Sequence, residues 1–355
     1  MRVLLALILT LVFQAPVAAE NWRDVDLGSG VREGVATQED IWLLGLSGKV
    51  VHFARRTGER RVVATDVQDM LSDGRRLWVL ARQDNAASYL LHDLRSGSPT
   101  PTQMHGNPFR VYLHSSEDGV GAPIGLVAQA GQERPAILTQ NAFVIPTETS
   151  WKRQPLAATL SRWGHVAAAQ GGDVYVGYNR GEWGGGLRRI TSAGAVSFVK
   201  GDGDELCEGT INPACSPIIG VYRDPGMPDC VMVGTGLAHL GMSHGNIYRV
   251  CGDAISPVFS TPVPTEPDRW MMGPQPWPLD EFVEVPKGWI GLSRDRYFRS
   301  RDGNVTEHPM PTFHNWSGIK ISEEQDDVLF VVSACCWGSV DNPTLYHTIA
   351  IPIAP

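Results

Sequence analysis

Seven short apolar runs recur along this chain, each introduced by a polar turn, and the recurrence constrains the fold more than any other feature. They are Ile41-Trp42-Leu43-Leu44, Leu77-Trp78-Val79-Leu80, Ile124-Gly125-Leu126-Val127, Val174-Tyr175-Val176-Gly177, Val231-Met232-Val233-Gly234, Trp289-Ile290-Gly291-Leu292 and Val328-Leu329-Phe330-Val331. Their first residues lie 36 to 58 apart, a spacing that suits blades with variable loops. Most runs are followed by a further strand: Val50–Ala54, Tyr89–Leu94, Ala136–Thr139, Leu187–Ile190, Asn246–Val250 and Thr344–Ile349. A fourth strand is readable at Arg61–Ala64, Val196–Lys200 and Ser256–Ser260. The pattern predicts an all-β chain, a seven-bladed β-propeller of four-stranded antiparallel blades. No such blade can bury both faces alone, so the core must lie between blades. The last unit shows three strands, and Trp22–Leu27 is expected to add its fourth and close the ring.

The clearest unit is 174–190, VYVGYNRGEWGGGLRRI, a strand, a Gly-rich loop and a returning strand. With GGLRRITSAG after VYVG, and GNIYRVCGD after VMVGTG, it resembles the periplasmic propeller repeats of two-component regulators. The same stretches are similar to lyase-like and quinoprotein-like propellers. This resemblance implies a fold; propellers host binding and catalysis alike.

Residues 1–19 read as a secretory leader: Arg2, the apolar run Val3–Phe13, then Pro16-Val17-Ala18-Ala19 before the expected cut. Residues 20–355 are then one propeller domain, exported to the periplasm or the extracellular space. Losing the leader moves the net charge from −8 to −9. An acidic chain without a Lys/Arg cluster argues against nucleic acid and anionic membrane surfaces as partners. No membrane insertion is expected, and a monomer is.

With strands labelled A to D from the axis outward, the A–B and C–D turns share one face and are short. The B–C loops and D–A crossovers share the other and are long: 178–186, 235–245, 333–343, and crossovers 147–163, 201–217, 261–278 and 309–316. Long loops that persist in a compact domain commonly bind something. They hold seven of the eleven Trp: Trp151, Trp163, Trp183, Trp270, Trp277, Trp316 and Trp337. The bland alternative is that these rings pack the crossovers onto the blades.

Six Cys in an exported chain make disulfides permissible. Cys230 opens strand B and Cys251 closes strand C of the fifth blade, which sets them opposite at about 4.5–5.5 Å, a separation a disulfide accepts. Cys207 and Cys215 bracket one crossover and are expected to staple it. Cys335-Cys336 could form a strained vicinal bond, pair elsewhere, or remain as thiols or metal ligands. The run Ala334-Cys335-Cys336-Trp337 resembles the vicinal disulfide of quinoprotein dehydrogenases, though their repeat Trp motifs are absent here.

His239, Met242 and His244 offer nitrogen and thioether donors that suit copper, but their spacing matches no established motif and a solvated loop is the simpler reading. Glu182, Asp202, Asp204, Glu205 and Asp280 could supply paired carboxylates for glycoside chemistry, or merely be solvated. No metal or cofactor is assigned. The ligand site expected is Tyr178, Arg180, Glu182 and Trp183 with His239, Met242 and His244, joined by His314 and Trp316 and by Cys335, Cys336 and Trp337. The leading expectation is a propeller that binds a small molecule, glycan or protein on this Trp-rich face. The alternative is an enzyme, a polysaccharide lyase or hydrolase or a quinoprotein-like oxidoreductase, working at the central mouth. Convergent titratable groups there would favour the enzyme.

Overall fold

The computed structural model describes residues 31–352 apart from 38, 55–56, 73–75, 84–87, 95–108, 113–119, 130, 149, 163, 170, 202–209, 240–241, 265–274, 286–287, 294–295, 310–317, 323–328 and 335–346. Every sheet in it is an antiparallel meander. The first blade is β1 (Val31–Ala36), β2 (Asp40–Gly45), β3 (Val50–Ala54) and β4 (Arg60–Ala64), and the second is β5 (Val67–Ser72), β6 (Leu77–Gln83), β7 (Ser88–Asp93) and β8 (Phe109–Tyr112). The third runs β9 (Pro123–Val127), β10 (Ala136–Thr139), β11 (Ala142–Pro146) and β12 (Trp151–Pro155). The fourth is β13 (His165–Ala168), β14 (Val174–Gly177), β15 (Leu187–Ile190) and β16 (Val196–Val199). The fifth is β17 (Ile218–Arg223), β18 (Val231–His239), β19 (Met242–Cys251) and β20 (Ala254–Ser260). The sixth is β21 (Glu281–Val285), β22 (Gly288–Leu292), β23 (Arg296–Arg301) and β24 (Asn304–Pro309). A last sheet has three strands, β25 (Gly318–Ser322), β26 (Leu329–Ala334) and β27 (His347–Pro352).

The expectation of seven four-stranded blades is therefore corrected: six blades are complete, and the final repeat supplies a three-stranded sheet. That sheet touches β21 on one side and β1 on the other, so it stands between the sixth blade and the first. The fourth strand expected from Trp22–Leu27 lies outside the described residues. The third blade is also shifted by one position. Its run Ile124–Val127 forms the innermost strand β9, and 136–139 forms the second strand.

Among the described residues five apolar layers hold the blades together, each shared by two consecutive blades. Strand β14 shows why, because successive side chains point to opposite faces. Val174 and Val176 enter the layer with Ile124, Leu138 and Phe143 of the third blade. Tyr175, between them, enters the layer with Ile218, Val231 and Val233 of the fifth. All four residues of β14 are buried, as a strand sandwiched between neighbours should be. Phe282, fully buried, plays the matching role between blades five and six, edge-on to Tyr222 at 5.6 Å. The Cys230–Cys251 disulfide is present with a Cα–Cα distance of 4.4 Å, closing the base of the β18–β19 hairpin as its strand positions required. Among the described residues no helix is long and apolar enough to cross a membrane.

Candidate functional site

The Gly-rich loop after β14 is a compact, fully bonded knuckle. Tyr178 N–H donates to Gly186 O at 3.0 Å and Arg180 N–H to Gly184 O at 2.8 Å, closing the loop around a single 3-10 turn, Gly181–Trp183. Gly185 N–H then donates to Pro213 O at 2.9 Å and Gly186 N–H to Ser216 O at 3.1 Å, fastening the loop to the crossover that leads into the fifth blade. This close stacking explains the three glycines. A Cβ at Gly185 would lie 2.0 Å from Tyr178 O and one at Gly184 2.3 Å from the Ala214 carbonyl carbon, and φ is +137° and +71°. Side chains other than hydrogen rarely adopt either conformation. The crossover is itself fixed: Ala214 N–H bonds Asn212 Oδ1 at 2.8 Å, and Cys215 is disulfide-bonded. Its expected partner Cys207 lies outside the described residues.

On this mount sits Trp183, 74% exposed. Arg180, also exposed, donates to Ser161 Oγ at 3.3 Å. Tyr178 corrects the expectation: it is buried in the layer between blades three and four, its hydroxyl 3.4 Å from Ser161 O, and burial pushes its phenol up to about 12. A side chain consumed by packing is not open to a ligand. The stretch 235–245, expected as a loop, is instead the far half of the β18–β19 hairpin, whose register runs to His239 opposite Met242. His244 lies on it, half-buried, with a hydrogen bond to the Cys215 backbone; burial holds its imidazole below the usual range. The structure thus brings the Trp183 loop, the Cys215 crossover and His244 together. Of Glu182, His239 and Met242 only the backbone is described, and His314, Trp316, Cys335, Cys336 and Trp337 lie outside the described residues, so their convergence on this face rests on sequence alone.

Two other loop tryptophans are packing elements. Trp151 is the first residue of β12 and lies against the layer between blades two and three. Trp277 packs onto the layer between blades five and six under the Arg296 guanidinium, 4.1 Å from its ring. Trp163 and Trp270 lie outside the described residues.

Sequence reasoning overlooked a second cluster, at the inner edge of the ring. Asp69 on β5 is 7% exposed; its Oδ2 accepts from Leu126 N–H of β9 at 2.5 Å and its Oδ1 lies 3.9 Å from Arg32 of β1. One carboxyl therefore ties three consecutive blades. Glu33, beside it, accepts from Met70 N–H at 3.2 Å. Burial, then the Glu33 charge, push the Asp69 carboxyl well above the usual range. At the ends of the inner strands, Arg223 of β17 donates to Ala128 O beyond β9 at 3.3 Å. Glu284 of β21 lies beside Arg223 and Asp224; enclosure by protein pushes its carboxyl up to about 7, against the pull of Arg223. The signal for this cluster was available: polar residues interrupt otherwise apolar inner strands, VREGVA, VQDMLS and EFVEV.

No protein-family model matches the chain, and no curated protein matches it. Solved structures do. The Neurospora crassa Pan2 WD40 domain aligns over 86% of this chain and 87% of its own, at 11% identity and a TM-score of 0.51. The Myceliophteria thermophila Cps50 (Swd1) β-propeller domain aligns over 86% of this chain and 93% of its own, at 12% identity and a TM-score of 0.50. The chain is a β-propeller. At these identities the likeness carries the fold and nothing of function.

Proposed function

We propose that this propeller is exported and binds a ligand or protein partner on its long-loop face, with Trp183 as the anchor. The observation that carries the reading is a ring 74% exposed on a loop bonded at both ends and stacked on the crossover that carries the disulfide-bonded Cys215. A rigid mount lowers the ordering cost of binding, and covering a Trp contributes about 1–3 kcal/mol by burial. Arg180, exposed beside it, would orient a polar or anionic group of the ligand. Residues 1–19 and the Cys230–Cys251 disulfide are compatible with export. The test is titration of oligosaccharide and peptide panels, followed by tryptophan fluorescence. Trp183→Ala should weaken the captured ligand at least tenfold without changing thermal stability. Unchanged affinity in that variant refutes the reading.

A second reading has one observation in its favour. An Asp69 carboxyl held well above its usual range beside Glu33, with the Glu284 carboxyl pushed up to about 7 on another inner strand, offers acid and base groups of the kind that glycoside cleavage uses. In that case the chain is a hydrolase or lyase acting at the mouth. Product release from a polysaccharide panel, lost in Asp69→Asn, would replace the binding reading.

A further inference from the structure

Four arginines gather around the Trp183 loop and the crossover that enters the fourth blade. Arg180, exposed at the foot of the Trp183 turn, donates to Ser161 Oγ at 3.3 Å. Arg188 of β15 stands opposite Val176 and Phe198, on the face turned to the third blade, and its guanidinium stacks on the Phe198 ring at 3.0 Å. Arg180 and Arg188 both act on the buried Tyr178 hydroxyl. Burial, opposed by Tyr178 and reinforced by the Arg180 charge, holds the Arg188 guanidinium below its usual range. Arg162 is exposed next to Ser161, and Arg82 is paired directly with Tyr89 across β6 and β7. Burial raises the Tyr89 phenol and both guanidinium groups draw it back, so Arg82 and Arg162 flank one hydroxyl.

Elsewhere in the ring arginine is neutralised. Arg189, next in the chain to Arg188, holds Asp173 and Asp253; Arg249 holds Asp224, and Arg296 holds Glu307. Among the described residues no carboxylate pairs with Arg82, Arg162, Arg180 or Arg188. In a chain of net charge −8 this is a local reversal of sign, and the fold makes it, because the four form no basic run in the sequence. Their support is fixed. Leu156 N–H donates to Asn141 O at 2.8 Å and Leu160 N–H to Gln140 O at 2.7 Å, which pins the crossover carrying Ser161 and Arg162 onto the tight turn between β10 and β11.

The charge sets what an occupant must carry, and the main chain sets what it cannot use. The N–H groups of Tyr178, Arg180 and Trp183 and those of Gly184, Gly185 and Gly186 are all bonded within the loop or to the next crossover. The loop therefore offers no open ladder to an extended peptide. Recognition falls to side chains, a flat indole and a row of planar guanidinium groups. Sugar rings present apolar C–H faces to an indole, and guanidinium pairs bidentately with carboxylate. A polymer with one carboxylate on each sugar ring meets both demands along its length. We propose that this site takes an acidic polysaccharide of the polyuronide class, one ring stacked on Trp183 and its carboxylates on Arg180, Arg188 and Arg162. The proposal rests on the Trp183 reading and narrows it to one class of ligand.

The test is calorimetric titration of the mature chain, disulfides intact, with hexamers of galacturonate and of mannuronate. Their methyl esters, which keep the sugar and lose the charge, are run beside them, as are hexaglutamate and hexathymidylate. An acid hexamer should bind at least tenfold more tightly than its ester, and weaken at least tenfold between about 50 and about 500 mM salt. Arg162→Gln/Arg180→Gln alters two exposed residues and should leave the thermal midpoint unchanged while bringing the acid down to the affinity of the ester. Trp183→Ala should weaken acid and ester alike. Equal binding of acid and ester, both weakened by Trp183→Ala, overturns the acidic class and leaves the Trp183 anchor standing. Acid binding that falls in the arginine variant but is unchanged in Trp183→Ala refutes the anchor, and the joint site with it. Binding of neither acid hexamer, or tighter binding of hexaglutamate or hexathymidylate, also overturns the proposal.

Discussion

Replacing Glu284 by Gln should remove part of the pH dependence of this protein's stability. The folded-state carboxyl titrates at about 7 against 4.5 for the ordinary group. Between those values the folded chain holds a proton that the unfolded chain has released. Stability therefore falls as pH rises through this window, and the loss is complete above 7. A shift of this size is worth at most about 3.4 kcal/mol, at 1.36 kcal/mol per pH unit. Glu284 is nonetheless the one exposed residue of β21, so screening by solvent reduces the expected effect to about 1 kcal/mol. Gln mimics the protonated form at every pH. Urea unfolding of both chains at pH 4, 6 and 8 should give equal midpoints at pH 4, with Glu284→Gln the more stable by about 1 kcal/mol at pH 8. A difference independent of pH, or a wild type favoured at pH 8, would refute the claim that enclosure rather than Arg223 dominates at this carboxyl.

Cys230→Ala/Cys251→Ala should cost about 3 kcal/mol in chemical denaturation, the loop-closure value for a separation of 21 residues. Gly185→Ala drives a Cβ to 2.0 Å from Tyr178 O at φ +137°, so hydrogen exchange should speed up across 178–186 while the rest of the ring keeps its protection. Phe282→Ala should lower stability by about 3–5 kcal/mol, because a fully buried ring shared by two blades is lost; a cost under about 1 kcal/mol would contradict the layered core.

What the sequence disclosed follows from which physical signals are local. The hairpin disulfide was legible because strand pairing alone fixes the separation of Cys230 and Cys251. The four-stranded units were legible because short apolar runs alternate with polar turns. The order of strands in the third blade was not, since its inner and second strands are both buried along almost their whole length, and burial on both faces erases the alternation that would tell them apart. The extent of the β18–β19 hairpin was hidden by its glycines, which read as loop. Gly236 is there because a Cβ would sit 1.7 Å from Leu279 O of the crossover into the next blade. Tyr178 was misjudged for a related reason: position in a loop says nothing about which way an aromatic ring turns. Asp69 escaped notice because its partners, Arg32 and Leu126, lie on two other blades.

The placement of the three-stranded sheet has a consequence for engineering. The sheet of β25–β27 neighbours both β21 and β1, so the earliest and latest repeats of the described array meet at one seam. Which blade is encoded first is then independent of the cyclic order in which the blades pack. A gene opened at the exposed Asp302-Gly303 turn between β23 and β24, with a linker spanning the seam, would encode the same circle of blade-to-blade cores from a different starting point.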